Sequence, residues 1–318
     1  MKIVILEGAT LGIDVDISIF NQLGETVIYD ATDYDTIQER IKDANVILTN
    51  RIPMKEKYIS GAKDLKLICV TGTGTNHIDL NYTKSRGITV CNVGSYSTAS
   101  VAQHTFAMYF YLTEHLRYYD DYVKSGEYST KPSFADFLTR FEELNGKTWG
   151  IIGLGEIGRR VAKIAEAFGC NVIYYSTSGK NSSTDYQQVD LDTLLKTSDI
   201  LSIHAPLNDT TRNLIGAKEL NKMKKTAILI NVARGPIINE EDLYQALKEG
   251  TIEKAGLDVF SKEPIKADHP LLSIKDGRKL LLTPHMAWTS IEARTKLIQE
   301  IYKNIEAFQK GEKRNVVE

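Results

Sequence analysis

The sequence predicts an α/β chain of two doubly wound parallel-sheet domains, one inserted into the other. Three observations carry that reading. Short apolar runs alternate with helical patterning along most of the chain. A glycine loop, Gly153-Leu154-Gly155-Glu156-Ile157-Gly158, stands near the middle rather than at the start. A second series of apolar runs follows it. Buried runs separated by helices form parallel sheets with crossover connections. The loop lies between an apolar run (Trp149, Ile151, Ile152) and a helical pattern (Val161, Ile164, Ala165, Phe168). That is the strand–turn–helix setting a dinucleotide loop requires.

Taken in order, strands are expected at residues 3–6, 27–29, 46–48, 67–70 and 88–90. A long helix should start near Ser97, because Val101, Thr105, Met108 and Leu112 share one face. Residues 126–146 read as a loop-rich insertion with Pro132, Phe134, Phe137 and Phe141. Counted with the run that leads into the glycine loop, the second series predicts six strands, at 149–152, 172–175, 200–203, 227–230, 256–259 and 280–282. The chain closes on a helix in which Ile291, Ile298, Ile301, Ile305 and Phe308 recur at helical spacing, ending at Gly311. With the glycine loop in mid-chain, a Rossmann cofactor domain (98–287) is expected inside a flavodoxin-like substrate domain (1–97 plus 288–318). The cleft between them is the expected active site.

Composition excludes other classes. The 318 residues carry a net charge of −2, with 25% charged, so there is no basic footprint for nucleic acid and no field aimed at an anionic membrane. Cys69, Cys91 and Cys170 are far apart, lack metal-ligand spacing and lie in or beside apolar runs. They read as reduced core thiols of a cytoplasmic protein. No apolar stretch approaches the ~18 residues of a membrane span, and residues 1–6 are too short for a signal peptide.

The glycines of the loop allow a tight turn, close approach of a pyrophosphate and close helix packing, and the helix N-terminus adds free N–H groups. An acid that holds the adenosine ribose should end the second strand of this domain. The chain there reads Ser176-Thr177-Ser178-Gly179-Lys180, with no acid. Without that charge a 2′-phosphate is not repelled, and Ser176, Thr177 and Lys180 could bind one, which tips the reading to NADP over NAD. An NAD site whose ribose bonds Ser176 is the other reading. Three polar residues fall at or beyond strand ends: Arg234 in Asn-Val-Ala-Arg-Gly, Glu263 in Glu-Pro and His285 in Pro-His. A lasting cation, an acid and a group that titrates near neutral pH suit redox chemistry on an anionic carbonyl compound. Singly, each also has a bland reading as a surface or turn residue. Residues 72–75, Gly-Thr-Gly-Thr, offer consecutive N–H groups in a small-residue loop, so Thr73, Gly74 and Thr75 suit a carboxylate. An ordinary strand-to-helix turn is the alternative. Arg51, after the third strand, either reaches the cleft or is a solvated surface arginine.

These residues together resemble the D-isomer-specific 2-hydroxyacid dehydrogenases. The resemblance covers essentially the whole chain. Its carriers are Thr71-Gly72-Thr73-Gly74-Thr75-Asn76-His77-Ile78-Asp79, the glycine loop, Asn231-Val232-Ala233-Arg234-Gly235, Leu257-Asp258-Val259-Phe260 with Glu263-Pro264, and Pro284-His285. Residues 96–105 and His285-Met286-Ala287-Trp288 resemble the glycerate dehydrogenase (hydroxypyruvate reductase) branch, although Gln103 stands where many members have Glu. The resemblance implies an NAD(P)-dependent reductase of a small 2-keto acid, favouring hydroxypyruvate with glyoxylate second. His285 would be the acid/base, Glu263 its partner, and Arg234 the residue that binds and polarises the keto acid. It further implies cofactor contacts at Thr98, Thr211, Val232 and Ala233, the nicotinamide carboxamide on Asp258, and a homodimer built on the helix after Ser97; Pro206, by its place after the run 200–203, is expected to wall the adenine pocket. Trp288 reads equally as a pocket wall and as a core aromatic. The remaining histidines, His104 and His204 among them, read as packing residues. Two alternatives stay open: a dehydrogenase for another D-2-hydroxy acid such as D-lactate, and a non-catalytic NAD(H)-responsive binding protein.

Overall fold

The computed structural model describes residues 1–137 and 139–317. The chain forms two compact units, Met1–Ser97 with Thr289–Glu318, and Thr98–Trp288. Trp288 was expected on the other side of this boundary; its ring packs on the core of the second unit, which keeps it there.

In the first unit, β1 (Lys2–Ile5), β2 (Glu25–Ile28), β3 (Val46–Thr49), β4 (Leu67–Val70) and β5 (Thr89–Cys91) form one parallel sheet in the order β2-β1-β3-β4-β5. This is the flavodoxin-like order. Every residue of β3 and β4 is buried, as expected for central strands covered on both faces. The edge strand β2 is only partly covered, which is why its apolar signal was short. Short helices α1 (Ile37–Ile41), α2 (Glu56–Ile59) and α3 (Leu80–Ser85) connect the strands. The terminal helix, Ile291–Gln309, starts where Ser290 Oγ accepts the Ala293 N–H (3.2 Å) and buries Leu297, Ile298, Ile301 and Ile305. Ile291, counted in its apolar stripe, is exposed at the first turn.

The second unit opens with α4 (Thr98–Glu114), broken at His115, which takes a left-handed conformation (φ 53°), and α5 (Leu116–Lys124). Its parallel sheet comprises β6 (Thr148–Ile152), β7 (Asn171–Tyr175), β8 (Gln187–Gln188), β9 (Ile200–Ile203), β10 (Ile228–Asn231), β11 (Lys254–Leu257) and β12 (Leu280–Leu282), ordered β12-β11-β10-β9-β6-β7-β8. Helices α6 (Glu156–Ala167), α7 (Leu191–Thr197), α8 (Ala217–Leu220) and α9 (Glu240–Glu249) link them. Strand alternation divides the interior in two: Trp149, Ile151, Ile228 and Ile230 enter one core, Ile152, Leu201, Ile203 and Leu229 the other. Seven strands replace the six expected, because β8 is two exposed glutamines that carry no apolar signal. Strand β11 lies two residues earlier than expected: it pairs with β10 from Lys254 to Leu257 and leaves the sheet at Asp258. All three cysteines are buried, and burial pushes the thiols of Cys91 and Cys170 up to about 11. Among the described residues no helix is long and apolar enough to cross a membrane.

Candidate active site

The sheet order of the second unit reverses at β6, and the glycine loop leaves its carboxyl end there. That is where doubly wound sheets form their crevice. Each glycine has its own reason. Gly153 turns the chain at φ 92°, and a Cβ on it would lie 2.9 Å from the Ala205 backbone. A Cβ on Gly158 would lie 2.2 Å from the Gly153 carbonyl oxygen, so α6 can pack against the loop only without one. Gly155 has nothing within 4 Å of its Cβ position, and as the N-cap of α6 it offers no side-chain acceptor to the helix N–H groups. The turn is thus closed by two glycines and left open by the third, which fits a pyrophosphate on the helix N-terminus. Glu156 is exposed, while Ile157 packs toward the core.

At the end of β7, Ser176 is buried and its Oγ has no partner among the described residues, a condition that a ribose or phosphate oxygen would relieve. Thr177 is half-buried and Lys180 exposed. Arg159, passed over in the sequence reading, donates to Ser182 O (2.8 Å) and adds a second cation to this segment. Beyond β9, Pro206 is exposed. Thr211, expected at the cofactor, has no exposed surface; its Oγ1 donates to Pro206 O (2.7 Å) and accepts the Asn208 N–H (2.8 Å), so it builds the turn behind Pro206. Val232 is likewise buried, whereas Ala233 and Thr98 are half-buried.

Arg234, Glu263 and His285 follow three neighbouring strands, β10, β11 and β12. Arg234 is half-buried, with Nη1 donating to Ala233 O (2.7 Å), and its peptide is held by Asn231, whose Nδ2 donates to Arg234 O (3.0 Å). Glu263 Oε1 accepts the Phe260 N–H (2.8 Å). Its Oε2 lies 2.8 Å from His285 Nδ1, with side-chain exposures of 14% and 22%. A carboxylate cannot donate, so Nδ1 carries the proton of this bond and Nε2 is the nitrogen presented elsewhere. Asp258 is 0% exposed, and the loop takes most of its carboxylate: Oδ1 accepts from Thr283 Oγ1 (2.6 Å) and Met286 N–H (2.8 Å), Oδ2 from Ala287 N–H (2.9 Å). Its expected carboxamide contact is left with a single remaining acceptor position, on Oδ2. Trp288 is half-buried and packs against the core of the second unit.

In the first unit the carboxyl ends of neighbouring strands β3 and β4 carry Arg51 and residues 72–75. Asn92 Nδ2 holds Thr73 O (2.7 Å), and Thr73 Oγ1 donates to Val93 O (2.8 Å), so the loop is fixed by the end of β5. Among the described residues no backbone acceptor takes the N–H of Gly74 or Thr75. Glu7 is the residue sequence reasoning missed here. Its Oε2 accepts the N–H groups of Asn50 (2.6 Å), Arg51 (3.0 Å) and Ile52 (3.3 Å), which shapes the loop that bears Arg51.

A seven-stranded doubly wound sheet, a glycine loop at its switch point and an imidazole–carboxylate pair on the same edge define a dinucleotide-binding oxidoreductase unit. The chain belongs to the D-isomer specific 2-hydroxyacid dehydrogenase family: the profile of that family's NAD binding domain matches residues 106–287. It is 38% identical over 324 residues to a hydroxypyruvate reductase of Blautia hydrogenotrophica, covering 100% of this chain and 99% of the relative. It is 39% identical over 318 residues to a glycerate dehydrogenase of Methylorubrum extorquens, again covering 100% and 99%. The crystal structure of D-lactate dehydrogenase from Aquifex aeolicus, complexed with NAD and lactic acid, superposes with a TM-score of 0.85 at 30% identity, covering 98% of this chain and 96% of that one.

Proposed function

We propose that this chain is a cytoplasmic reductase that converts hydroxypyruvate to D-glycerate, with glyoxylate as second substrate. The observation that carries the proposal is the 2.8 Å His285–Glu263 pair at the carboxyl edge of the dinucleotide-binding sheet. The hydroxypyruvate reductase and glycerate dehydrogenase relatives, each matched over the full chain, support the substrate. A nicotinamide held at the glycine loop would supply a hydride to the keto carbon. The residues supply the rest. His285 gives the proton from Nε2 to the carbonyl oxygen, and Glu263, fixed by the Phe260 N–H, orients the ring and stabilises its charged form. The Arg234 guanidinium binds the carboxylate and draws electron density from the carbonyl. In the first unit, Arg51 and the N–H groups of residues 73–75 are the groups suited to a carboxylate. The cofactor is NADPH rather than NADH, a choice supported by the acid-free end of β7, the unpartnered Ser176 Oγ and the cations Lys180 and Arg159.

Loss of nicotinamide absorbance with hydroxypyruvate, run in parallel with NADH and NADPH, tests this directly. Turnover with a higher kcat/KM for NADPH is expected. Turnover only with pyruvate or a bulkier keto acid replaces the substrate. Tight cofactor binding with no turnover on any keto acid replaces the enzyme with a binding protein.

The homodimer is part of the same proposal. Phe134 and Phe137 are 93% and 83% exposed, and Leu116, Val123 and Phe141 on the same segment are exposed as well, a concentration of apolar side chains that a second copy would cover. Phe134→Ser with Phe137→Ser should move the mass measured by light scattering from two chains to one. A dimer that survives both changes removes this segment from the interface.

A further inference from the structure

The loop that bears His285 is held from two sides, and one side is a helix with no part in the proposal above. Thr283 Oγ1 lies 2.6 Å from Asp258 Oδ1 and 3.1 Å from His104 Nε2. Asp258 only accepts, so the single proton of the hydroxyl is committed to it. The second contact therefore runs the other way, with His104 donating from Nε2 and Thr283 accepting. Burial lowers the pKa of the His104 ring from its usual value, against the opposing pull of Asp258. One turn earlier on α4, Ser100 Oγ donates to Ala287 O (2.6 Å). Ser100 and His104 are four residues apart and share a helix face. They grip the loop at both ends, Thr283 and Ala287. Asp258 grips it between, through Met286 and Ala287 and through its own carbonyl, which accepts the His285 N–H (2.7 Å). His285 itself is held at φ 54°, a conformation that side chains other than glycine adopt only where neighbours enforce it.

We propose that the Ser100–His104 face of α4, Thr283 and Asp258 form a clamp that holds the His285 backbone in its left-handed turn and thereby aims the imidazole at Glu263. His104, Thr283 and Asp258 are positioning residues: they act on the reaction through His285. The clamp rests on the reading of His285 as the acid/base group. It also gives α4 a task beyond packing. The helix begins where the chain enters the second unit, and the clamped loop ends where the chain leaves it, so the Ser100–Ala287 hydrogen bond ties entry to exit.

The test uses the full chain as Thr283→Val, Thr283→Ser, His104→Leu and His104→Gln. The readouts are kcat and KM for hydroxypyruvate, cofactor affinity by fluorescence, and hydrogen exchange of residues 284–288. Thr283→Val and His104→Leu should each lower kcat about tenfold, with KM and cofactor affinity within about twofold of wild type, the loss expected of a buried hydrogen bond that orients a reacting group. Exchange at 284–288 should quicken in both. Thr283→Ser restores the hydroxyl and His104→Gln restores a donor, so both should return kcat and protection. Unchanged kcat in Thr283→Val, or a loss shared equally by cofactor affinity and not rescued by Thr283→Ser, overturns the clamp. If wild type turns over no keto acid, the reading of His285 fails by itself. The exchange measurement then decides the clamp alone, and protection unchanged in Thr283→Val overturns it.

Discussion

His285→Ala should lower kcat by about a thousandfold while cofactor affinity stays within about threefold of wild type, the range that a positioned general acid supplies. The imidazole follows β12, and its Nδ1 proton is committed to Glu263, so no other atom of the loop can deliver a proton from the same place. The cofactor loop follows β6, which β9, β10 and β11 separate from β12 in the sheet, so truncating His285 leaves the turn at Gly153, Gly155 and Gly158 intact. Glu263→Gln should cost less. The amide can still accept the Phe260 N–H, but it can no longer stabilise a charged imidazole. Arg234→Ala should differ in kind, raising KM for the keto acid together with a fall in kcat, because a guanidinium binds the ground state as well as the transition state. Stopped-flow measurement of hydride transfer separates these effects from product release. A His285→Ala enzyme with wild-type hydride transfer would remove the acid/base assignment.

How far the sequence could be read depended on the range of each interaction. The two sheets were legible because their strands are continuous apolar runs and because the glycine loop marks the switch point by local spacing alone. Strand β8 was not, since Gln187 and Gln188 pair at a sheet edge without burying anything. The carboxyl end of β11 was misplaced for a related reason: Val259 and Phe260 are buried and look like strand, but the backbone has already left the ladder to let Asp258 bond the loop after β12. Arg234, Glu263 and His285 could be picked out as polar residues at strand ends. Their supports could not. Glu7 acts on Asn50 and Arg51 from more than forty residues away, and His104 meets Thr283 across 179 residues. No spacing rule connects such positions, so His104 read as a packing residue and Glu7 went unread. Thr211 and Val232 show the converse. Their positions in the motifs place them in the cofactor set, but no motif tells of their burial: Thr211 is 0% exposed with its hydroxyl bonded to Pro206 O, and Val232 is 8% exposed.

Gly235→Ala should be the most damaging single methyl in the second unit. A Cβ at this position would lie 1.9 Å from the Phe260 carbonyl carbon, 2.3 Å from its oxygen and 2.4 Å from the Ser261 nitrogen. All three are backbone atoms, so no rotamer change relieves the overlap, and the loops after β10 and β11 must part by an ångström or more. Gly235 has no left-handed φ, so space, and not backbone conformation, demands the glycine. The consequence reaches the chemistry through two neighbours. Arg234 precedes the glycine directly, and the Phe260 N–H is the donor that fixes Glu263. Overpacking against backbone should cost about 3 kcal/mol or more of stability. The displaced groups should lower kcat/KM at least about a hundredfold, as misplacement on the scale of an ångström does. Gly155→Ala is the control, because its Cβ position has nothing within 4 Å. It should leave stability within about 1 kcal/mol of wild type and weaken cofactor binding, where the pyrophosphate would meet the new methyl. Urea unfolding and cofactor titration on the two variants read both effects. Wild-type stability in Gly235→Ala would mean that the loops after β10 and β11 do not cross as closely as described. The link from Gly235 through Phe260 to Glu263 would then be lost, and with it the reason that a glycine follows Arg234.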